Sequence, residues 1–465
     1  MPSFRLLTFG CKVNQCDSAG LFQELTSRGW TAAPEGAVPD LILVNTCTVT
    51  ARADQQARQA VRRLAREYPG RAILVTGCYA QRAPEEVAAL PGVRTVVGNP
   101  EKARLADLIK AIDPGSITLA DCIPTDDGTS YFPSPLRGEG QGGGEKGPLI
   151  AVDEPTGRFH PWPVTLFPGH TRPRLKIQDG CNHGCAYCIV PRVRGASRSL
   201  PTAQVEAALE KLAAQGAREV VLTGVDLGQY GRDLSPPGDL AGLLRRLKAR
   251  PWPFRVRLSS LEPHEVTPDL LKECAAWENF CPHFHLPLQS GATPVLRAMG
   301  RPYRPQDFQD LIMEIHRRFP DAGVGLDILV GFPGETAADF AATQSLVESL
   351  PVTYLHVFPF SPRPGTAAAA LTPLPGREVK RRAKLMRDLG RGKKLAFLES
   401  QIGKTREVLV EGIDPDAGWL RGLSDNYLRV RLPGAAEWSN RLIPVSMAKV
   451  QGEIIVGETA DRVQE

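Results

Sequence analysis

Apolar residues in this chain come in short blocks, and longer amphipathic stretches separate them. Near the N-terminus the blocks at 4–9, 41–45 and 72–76 read as strands. The intervening stretches 18–28 and 54–67 carry the three-to-four residue apolar spacing of helices. Such alternation predicts an α/β unit with a parallel sheet over residues 1–112. A second alternating region covers residues 171–375. Its predicted strands are 174–178, 219–223, 255–261, 283–288, 323–330 and 354–360, with helices over 202–215, 240–250, 305–319 and 337–350. Six βα-type units predict a full or partial α/β barrel. Residues 376–400 read as a basic helix with Val379, Ala383, Met386, Leu389 and Phe397 on one face, weakened by Gly390 and Gly392. Short β-type runs at 405–411, 427–432 and 443–448 predict a small all-β module over residues 401–465. The fold class expected is therefore α/β multidomain, with a C-terminal β-barrel.

Residues 113–170 break the pattern. They hold the run Gly138-Glu139-Gly140-Gln141-Gly142-Gly143-Gly144 and many prolines, without periodicity. A flexible linker or insertion is expected there. Glycine and proline are abundant throughout, at 44 and 41 of 465 residues, so loops are plentiful. Apolar residues at 42% and charged residues at 23% exclude a mainly disordered chain. No stretch approaches the ~18 consecutive apolar residues of a membrane span. The first residues enter a strand directly, without the pattern of a secretion signal, so a cytoplasmic protein is expected.

Ten cysteines remain to be explained, and metal or redox chemistry is expected before disulfides. Three lie in Cys181-Asn182-His183-Gly184-Cys185-Ala186-Tyr187-Cys188, just after a predicted barrel strand. Three thiolates this close suit three corners of a [4Fe–4S] cluster, leaving one iron open. A zinc site using His183 is the alternative, but zinc motifs usually bring ligands in separated pairs. Three more cysteines, Cys11, Cys47 and Cys78, each follow an apolar strand. The carboxyl ends of parallel strands gather at one edge, so these three are expected to converge on a second cluster. Cys16, Cys122, Cys274 and Cys281 share no ligand spacing and read as packing residues.

The CxxxCxxC run with Tyr187 before its last cysteine resembles the radical S-adenosylmethionine (SAM) superfamily. That resemblance implies that the open iron chelates SAM and cleaves it to a 5′-deoxyadenosyl radical. A three-Cys α/β domain, a radical SAM barrel and a C-terminal β module together resemble the methylthiotransferases. The resemblance is carried by Thr8-Phe9-Gly10-Cys11-Lys12-Val13-Asn14-Gln15, Asn45-Thr46-Cys47, Leu258-Ser259-Ser260-Leu261-Glu262-Pro263, His285-Leu286-Pro287-Leu288-Gln289-Ser290-Gly291 and Asp327-Ile328-Leu329-Val330-Gly331-Phe332-Pro333-Gly334-Glu335. The C-terminal module resembles a TRAM domain, a small RNA-binding barrel. The Gly10–Gln15 and Ser259–Pro263 runs look like the MtaB branch, which modifies threonylcarbamoyladenosine in tRNA. Other branches act on isopentenyladenosine in tRNA or on an aspartate of a ribosomal protein. An iron–sulfur protein that binds RNA without catalysis is the non-enzymatic alternative.

The resemblance implies two [4Fe–4S] clusters: a catalytic one on Cys181, Cys185 and Cys188 and a sulfur-carrying one on Cys11, Cys47 and Cys78. It implies SAM as cofactor, contacted by Tyr187, Gly224, Asp226, Ser259, Glu262 and Gln289. It further implies a tRNA anticodon stem-loop as substrate, an electron donor such as flavodoxin or ferredoxin, and a sulfur source. Arg194 and Arg198 follow the cluster loop, where they either pair with SAM's carboxylate or an RNA phosphate or are simply solvated. The formal charge of +5 hides an uneven distribution. Residues 377–406 hold 11 Lys/Arg against three Asp/Glu, a local excess of +8 that suits a phosphate backbone.

Overall fold

The computed structural model describes residues 1–105, 148–155, 157, 159–163, 171–414 and 418–459. The chain divides into two compact units. The first holds Met1–Thr156 and Arg192–Gly195, and the second holds Gly157–Pro191 and Ala196–Glu465.

The first unit is a six-stranded sheet. Its strands are β1 (Ser3–Thr8), β2 (Thr31–Ala32), β3 (Leu41–Thr46), β4 (Ala72–Gly77), β5 (Val93–Val97) and β6 (Leu149–Ala151), in the order β2-β1-β3-β4-β5-β6. Every neighbouring pair is parallel. The central strand β3 is buried at all six positions, which is why its sequence is a continuous apolar run. The helix Ala51–Glu67 starts where the Thr50 side chain accepts a hydrogen bond from the Ala53 N–H. Its buried stripe of Ala57, Ala60, Val61 and Leu64 packs with Ile42, Val44, Ile73 and Val75 of the sheet, except for the rim residue Ala60. Strand β6 lies inside the stretch 113–170 expected as a linker, and it pairs with β5. Residues 106–147, with Cys122 and the glycine-rich run, lie outside the described residues.

The second unit contains six parallel strands in two groups of three. β7 (Arg174–Lys176), β10 (Glu219–Thr223) and β11 (Arg255–Leu258) form one group, ordered β11-β10-β7. Between β7 and β10 a small hairpin pairs β8 (Gln178–Asp179) with β9 (Arg198–Ser199). β12 (His283–Gln289), β13 (Gly323–Val330) and β14 (Tyr354–Pro359) form the other group. Single bonds such as Leu261 N–H to the His285 carbonyl, 3.0 Å, join the two groups. Among the described residues β14 does not pair with β7, so this is a partial barrel of six βα units. One large core lies between the strands and the helices Thr202–Ala214, Leu240–Lys248, Pro268–Ala275 and Pro305–Arg318.

The helix Gly376–Ser400 runs unbroken through Gly390 and Gly392. Gly390 lets the helix pack closely on β14, because a Cβ would sit 3.0 Å from the Leu355 side chain. After it, β15 (Thr405–Ile413), β16 (Trp419–Ser424), β17 (Arg429–Pro433), β18 (Leu442–Gln451) and β19 (Ile454–Thr459) close into a five-stranded barrel. The basic segment 377–406 is less bare than its charge implies. Arg382 is buried on Glu335, Lys394 reaches Glu453 at 2.6 Å, and Arg406 pairs with Asp321 at 2.8 Å. Among the described residues no helix is long and apolar enough to cross a membrane.

Candidate functional site

In the first unit the sheet order reverses between β1 and β3, and ligands of open parallel sheets bind at such a point beyond the strand ends. Cys11 follows β1, Cys47 follows β3 and Cys78 follows β4. All three therefore stand at the carboxyl edge. Their proximity is visible in Cys47, whose thiol is pushed up to about 12 by burial, then by Cys78 and by Cys11. Two glycines make the approach possible. Gly10 has φ +97°, and a Cβ there would fall 2.4 Å from the Cβ and 2.6 Å from the Sγ of Cys47. Gly77 has φ +101°, and its Cβ would fall 2.3 Å from the Thr46 carbonyl oxygen. Asn14 ties the loops together by donating to the carbonyls of Phe9 (2.9 Å) and Thr46 (2.8 Å).

Arg194 belongs to this unit. It is buried, and donates to Asn14 Oδ1 at 2.6 Å and to Asp17 Oδ2 at 3.2 Å. Lys102 reaches the same Asp17 oxygen at 3.0 Å. The Arg194 charge favours the Cys47 thiolate. Asn99 Nδ2 stands 3.7 Å from Cys78 Sγ. Three thiols at neighbouring strand ends, with Cys47 held protonated by burial beside the other two and the buried Arg194 and Lys102 close by, are a donor set that an iron cluster stabilises as thiolates. The residues fit such a group.

In the second unit Cys181, Cys185 and Cys188 follow β8, and backbone and side-chain groups point at the sulfurs. The His183 N–H donates to Cys181 Sγ at 3.4 Å, and Arg301 Nη1 donates to Cys185 Sγ at 3.4 Å. Burial raises Cys188 to about 12, and Cys185 adds to that effect. The donor set again fits a cluster that brings its own positive charge. Gln178 holds the loop by donating to the Gly180 carbonyl (2.8 Å) and accepting from the Asp226 N–H (2.8 Å). Tyr187 packs with Ala292, Val295, Met299 and Phe332, which fastens the loop to the barrel.

The other expected residues lie at the ends of the next strands. Gly224 donates to Ser259 Oγ at 3.4 Å, and a Cβ on it would meet Gln178 Oε1 at 2.7 Å. Glu262 is held by the Arg301 guanidinium. Gln289 ends β12 with φ +64°, a left-handed conformation that costs a non-glycine residue about 1–3 kcal/mol and gathers at functional sites. Asp226 Oδ2 lies 3.3 Å from Cys181 Sγ and 3.0 Å from His183 Nε2. The Asp226 carboxylate, with that of Glu265 at 3.5 Å, raises His183 to about 10. The His183 ring stands against these two carboxylates. Arg198 pairs with Asp179 at 3.3 Å. Sequence reasoning missed Arg301, Glu265 and the carboxylate role of His183. Arg301 follows a helix in Gly300-Arg301-Pro302, where no spacing marks it.

Residues 3–98 match the family described as Uncharacterized protein family UPF0004, and residues 175–347 match the Radical SAM superfamily. The threonylcarbamoyladenosine tRNA methylthiotransferase MtaB of Thermotoga maritima is 32% identical over 436 residues, 93% of this chain and 92% of that one. The tRNA-2-methylthio-N(6)-dimethylallyladenosine synthase of Dictyoglomus thermophilum is 31% identical over 98% of this chain and 99% of its own. The radical S-adenosylmethionine methyltransferase TsrM from Kitasatospora setae has the same fold over 79% of this chain and 77% of its own, with a TM-score of 0.53 at 18% identity. Identity above 30% across nearly the whole of both chains, with two cysteine triads at two sets of strand ends, places this protein in the radical SAM methylthiotransferase family to which the MtaB proteins belong.

Proposed function

We propose that this protein is a tRNA methylthiotransferase that places a methylthio group on carbon 2 of N6-threonylcarbamoyladenosine at position 37, beside the anticodon. The observation that carries the reading is the pair of cysteine triads, each at the carboxyl ends of its own parallel strands. Cys181, Cys185 and Cys188 would hold one [4Fe–4S] cluster, and Cys11, Cys47 and Cys78 the other. When bound, the first with SAM supplies radical activation of the C–H bond, and the second supplies the sulfur.

The chain's own residues position and shield. Gln178 and Asp226 fix the cysteine loop against β10. Arg301 places positive charge beside Cys185 and anchors Glu262. Gly224, Ser259 and Gln289 line the strand ends where SAM would bind. Gly10 lets Cys47 close on Cys11. Bases of an anticodon loop are unpaired, so the reacting adenine is reachable by splaying out of the stack. The C-terminal barrel and the exposed basic side chains of the helix Gly376–Ser400 are the proposed RNA contacts. A one-electron donor of the flavodoxin or ferredoxin class and a sulfur source complete the reaction, and the cytoplasm, where tRNA works, is the proposed compartment.

Nucleoside mass spectrometry of tRNA from a deletion strain tests the substrate. Loss of 2-methylthio-threonylcarbamoyladenosine is expected, with the isopentenyl counterpart intact, and the reverse pattern would sink the assignment. A second expectation concerns Gly10→Ala. The new Cβ meets Cys47 in a backbone conformation unfavourable to L residues. Iron in the reconstituted protein is expected to fall from about eight to about four per chain, read by iron assay. Unchanged iron would remove the claim that Gly10 shapes that site.

A further inference from the structure

The partial barrel carries a polar cluster that neither cysteine triad uses. Along β13, Val324, Leu326, Ile328 and Val330 are buried in the helix-side core, so Asp327 faces the other side of the strand. In β12 the same alternation buries Phe284, Leu286 and Leu288 and turns His285 to that other side. In β14, Leu355 and Val357 pack on the helix-side core, and His356 faces away from it.

These three neighbouring strands bring three ligand atoms together. His285 Nε2 is 3.1 Å from Asp327 Oδ1, His356 Nδ1 is 3.3 Å from the same oxygen, and the two ring nitrogens are 3.2 Å apart. The triangle is nearly equilateral, and each corner stands on a strand of a continuous parallel sheet. A hydrogen bond between the two ring nitrogens accounts for one side of it only. Asp327 Oδ1 is shielded from solvent and receives no aligned hydrogen bond, although two ring nitrogens lie close by. A single cation accounts for all three distances. Ligands about 2.0–2.1 Å from a tetrahedral zinc lie about 3.3–3.4 Å from one another. The remaining ring nitrogen of His285, Nδ1, is 2.7 Å from Ser260 Oγ. With Nδ1–H donating to that hydroxyl, Nε2 keeps its lone pair for a metal, the usual arrangement behind a ligating histidine.

The geometry points to a site for a divalent first-row transition ion, zinc or iron(II), held by His285, Asp327 and His356. Two imidazoles and one carboxylate are a donor set for these ions. The His356 side chain is 51% exposed, so the open coordination position is accessible to water or to an oxygen of substrate.

The test uses the full-length enzyme with both clusters loaded, equilibrated with Zn²⁺ and desalted. Elemental analysis is expected to give about one zinc per chain, and X-ray absorption at the zinc edge a shell of nitrogen and oxygen near ~2.0 Å without sulfur near ~2.3 Å. His356→Ala and Asp327→Asn are expected to weaken zinc binding at least tenfold while the cluster absorbance stays unchanged. Ser260→Ala keeps all three ligands, and is expected to weaken zinc binding about 10–100-fold through the His285 ring. No bound zinc, a sulfur shell, or wild-type zinc in all three variants would overturn the site. Zinc content is read without tRNA, so the result is independent of the substrate assignment.

Discussion

Cys47→Ala is expected to keep SAM cleavage and to lose the methylthio product. Cys47 lies in the first unit, whose sheet and core are built apart from the partial barrel that carries Cys181, Cys185 and Cys188. The substitution removes one sulfur from a buried position that is 5% exposed. A small buried side chain costs little when truncated to alanine, so the sheet should survive. The cluster on Cys11 and Cys78 alone should not. Two thiolates give an iron–sulfur cluster too few anchors, and iron is expected to drop to about four per chain. With dithionite and SAM the variant should still release 5′-deoxyadenosine, because the CxxxCxxC loop and its Gln178, Asp226 and Arg301 supports are untouched. Liquid chromatography of the nucleosides should show product below about 1% of wild type, a loss worth more than ~2.7 kcal/mol in the overall reaction. Cys185→Ala is the matching control and should lose both products. Normal methylthio product from Cys47→Ala would remove the second cluster from the reaction.

Much of this arrangement was legible in the sequence, for identifiable reasons. The apolar runs before Cys47 and Cys78 are strands buried on both faces, so their hydrophobicity is continuous, while β1 before Cys11 is fully buried only at Phe4. The Gly-Cys pairs at 10–11 and 77–78 mark sharp strand-end turns, where a left-handed glycine brings the next loop close. The short strands were harder. β6 has three residues and follows a long low-complexity stretch, and only its pairing with β5 makes it a strand. Gly390 looked like a helix breaker, because its close neighbour Leu355 is 35 residues away in the chain. The carboxylates around His183 and the guanidinium beside Cys185 are also long-range partners. Asp226 and Glu265 reach the cluster loop from the segments after β10 and β11, and Arg301 reaches it from the turn after the helix Thr293–Ala298. No local spacing encodes such meetings. The net charge of segment 377–406 misled in the other direction, since part of its +8 is matched by Glu335, Asp321 and Glu453 from distant elements.

The largest stability effect is expected at Glu219, which sits at the join between the partial barrel and the C-terminal barrel. Glu219 on β10 is fully buried between Arg255 and Arg257 of β11, with Nε···O distances of 2.7 Å to each. The guanidiniums use their other N–H groups on carbonyls of the C-terminal barrel: Arg255 on Glu407 and Leu423, Arg257 on Ser424 and Asp425. The Arg257 guanidinium also lies over the Tyr427 ring, 5.2 Å from its centroid. Glu219→Ala leaves Arg257 without a carboxylate and Arg255 with only the Glu407 carboxylate at 3.5 Å. Breaking a buried ion pair by removing one partner typically costs about 3–5 kcal/mol. The titration of Glu219 leads to a similar figure. Burial raises its carboxyl, but Arg257 and Arg255 outweigh that and hold it near about 2. An unfolded Glu titrates near ~4.3, so the lowered folded value contributes roughly 3 kcal/mol at neutral pH. That contribution is complete above the unfolded value and is lost as pH falls from about 4.3 toward about 2. Urea unfolding at pH 7, followed by tryptophan fluorescence, should therefore find Glu219→Ala destabilised by about 3–5 kcal/mol. Replacing all three charges together with apolar residues of similar volume should recover much of that loss, because the cost lies in the unpaired cations. A loss below about 1 kcal/mol for Glu219→Ala would mean that water reaches the guanidiniums, and that the two barrels are joined by apolar packing alone.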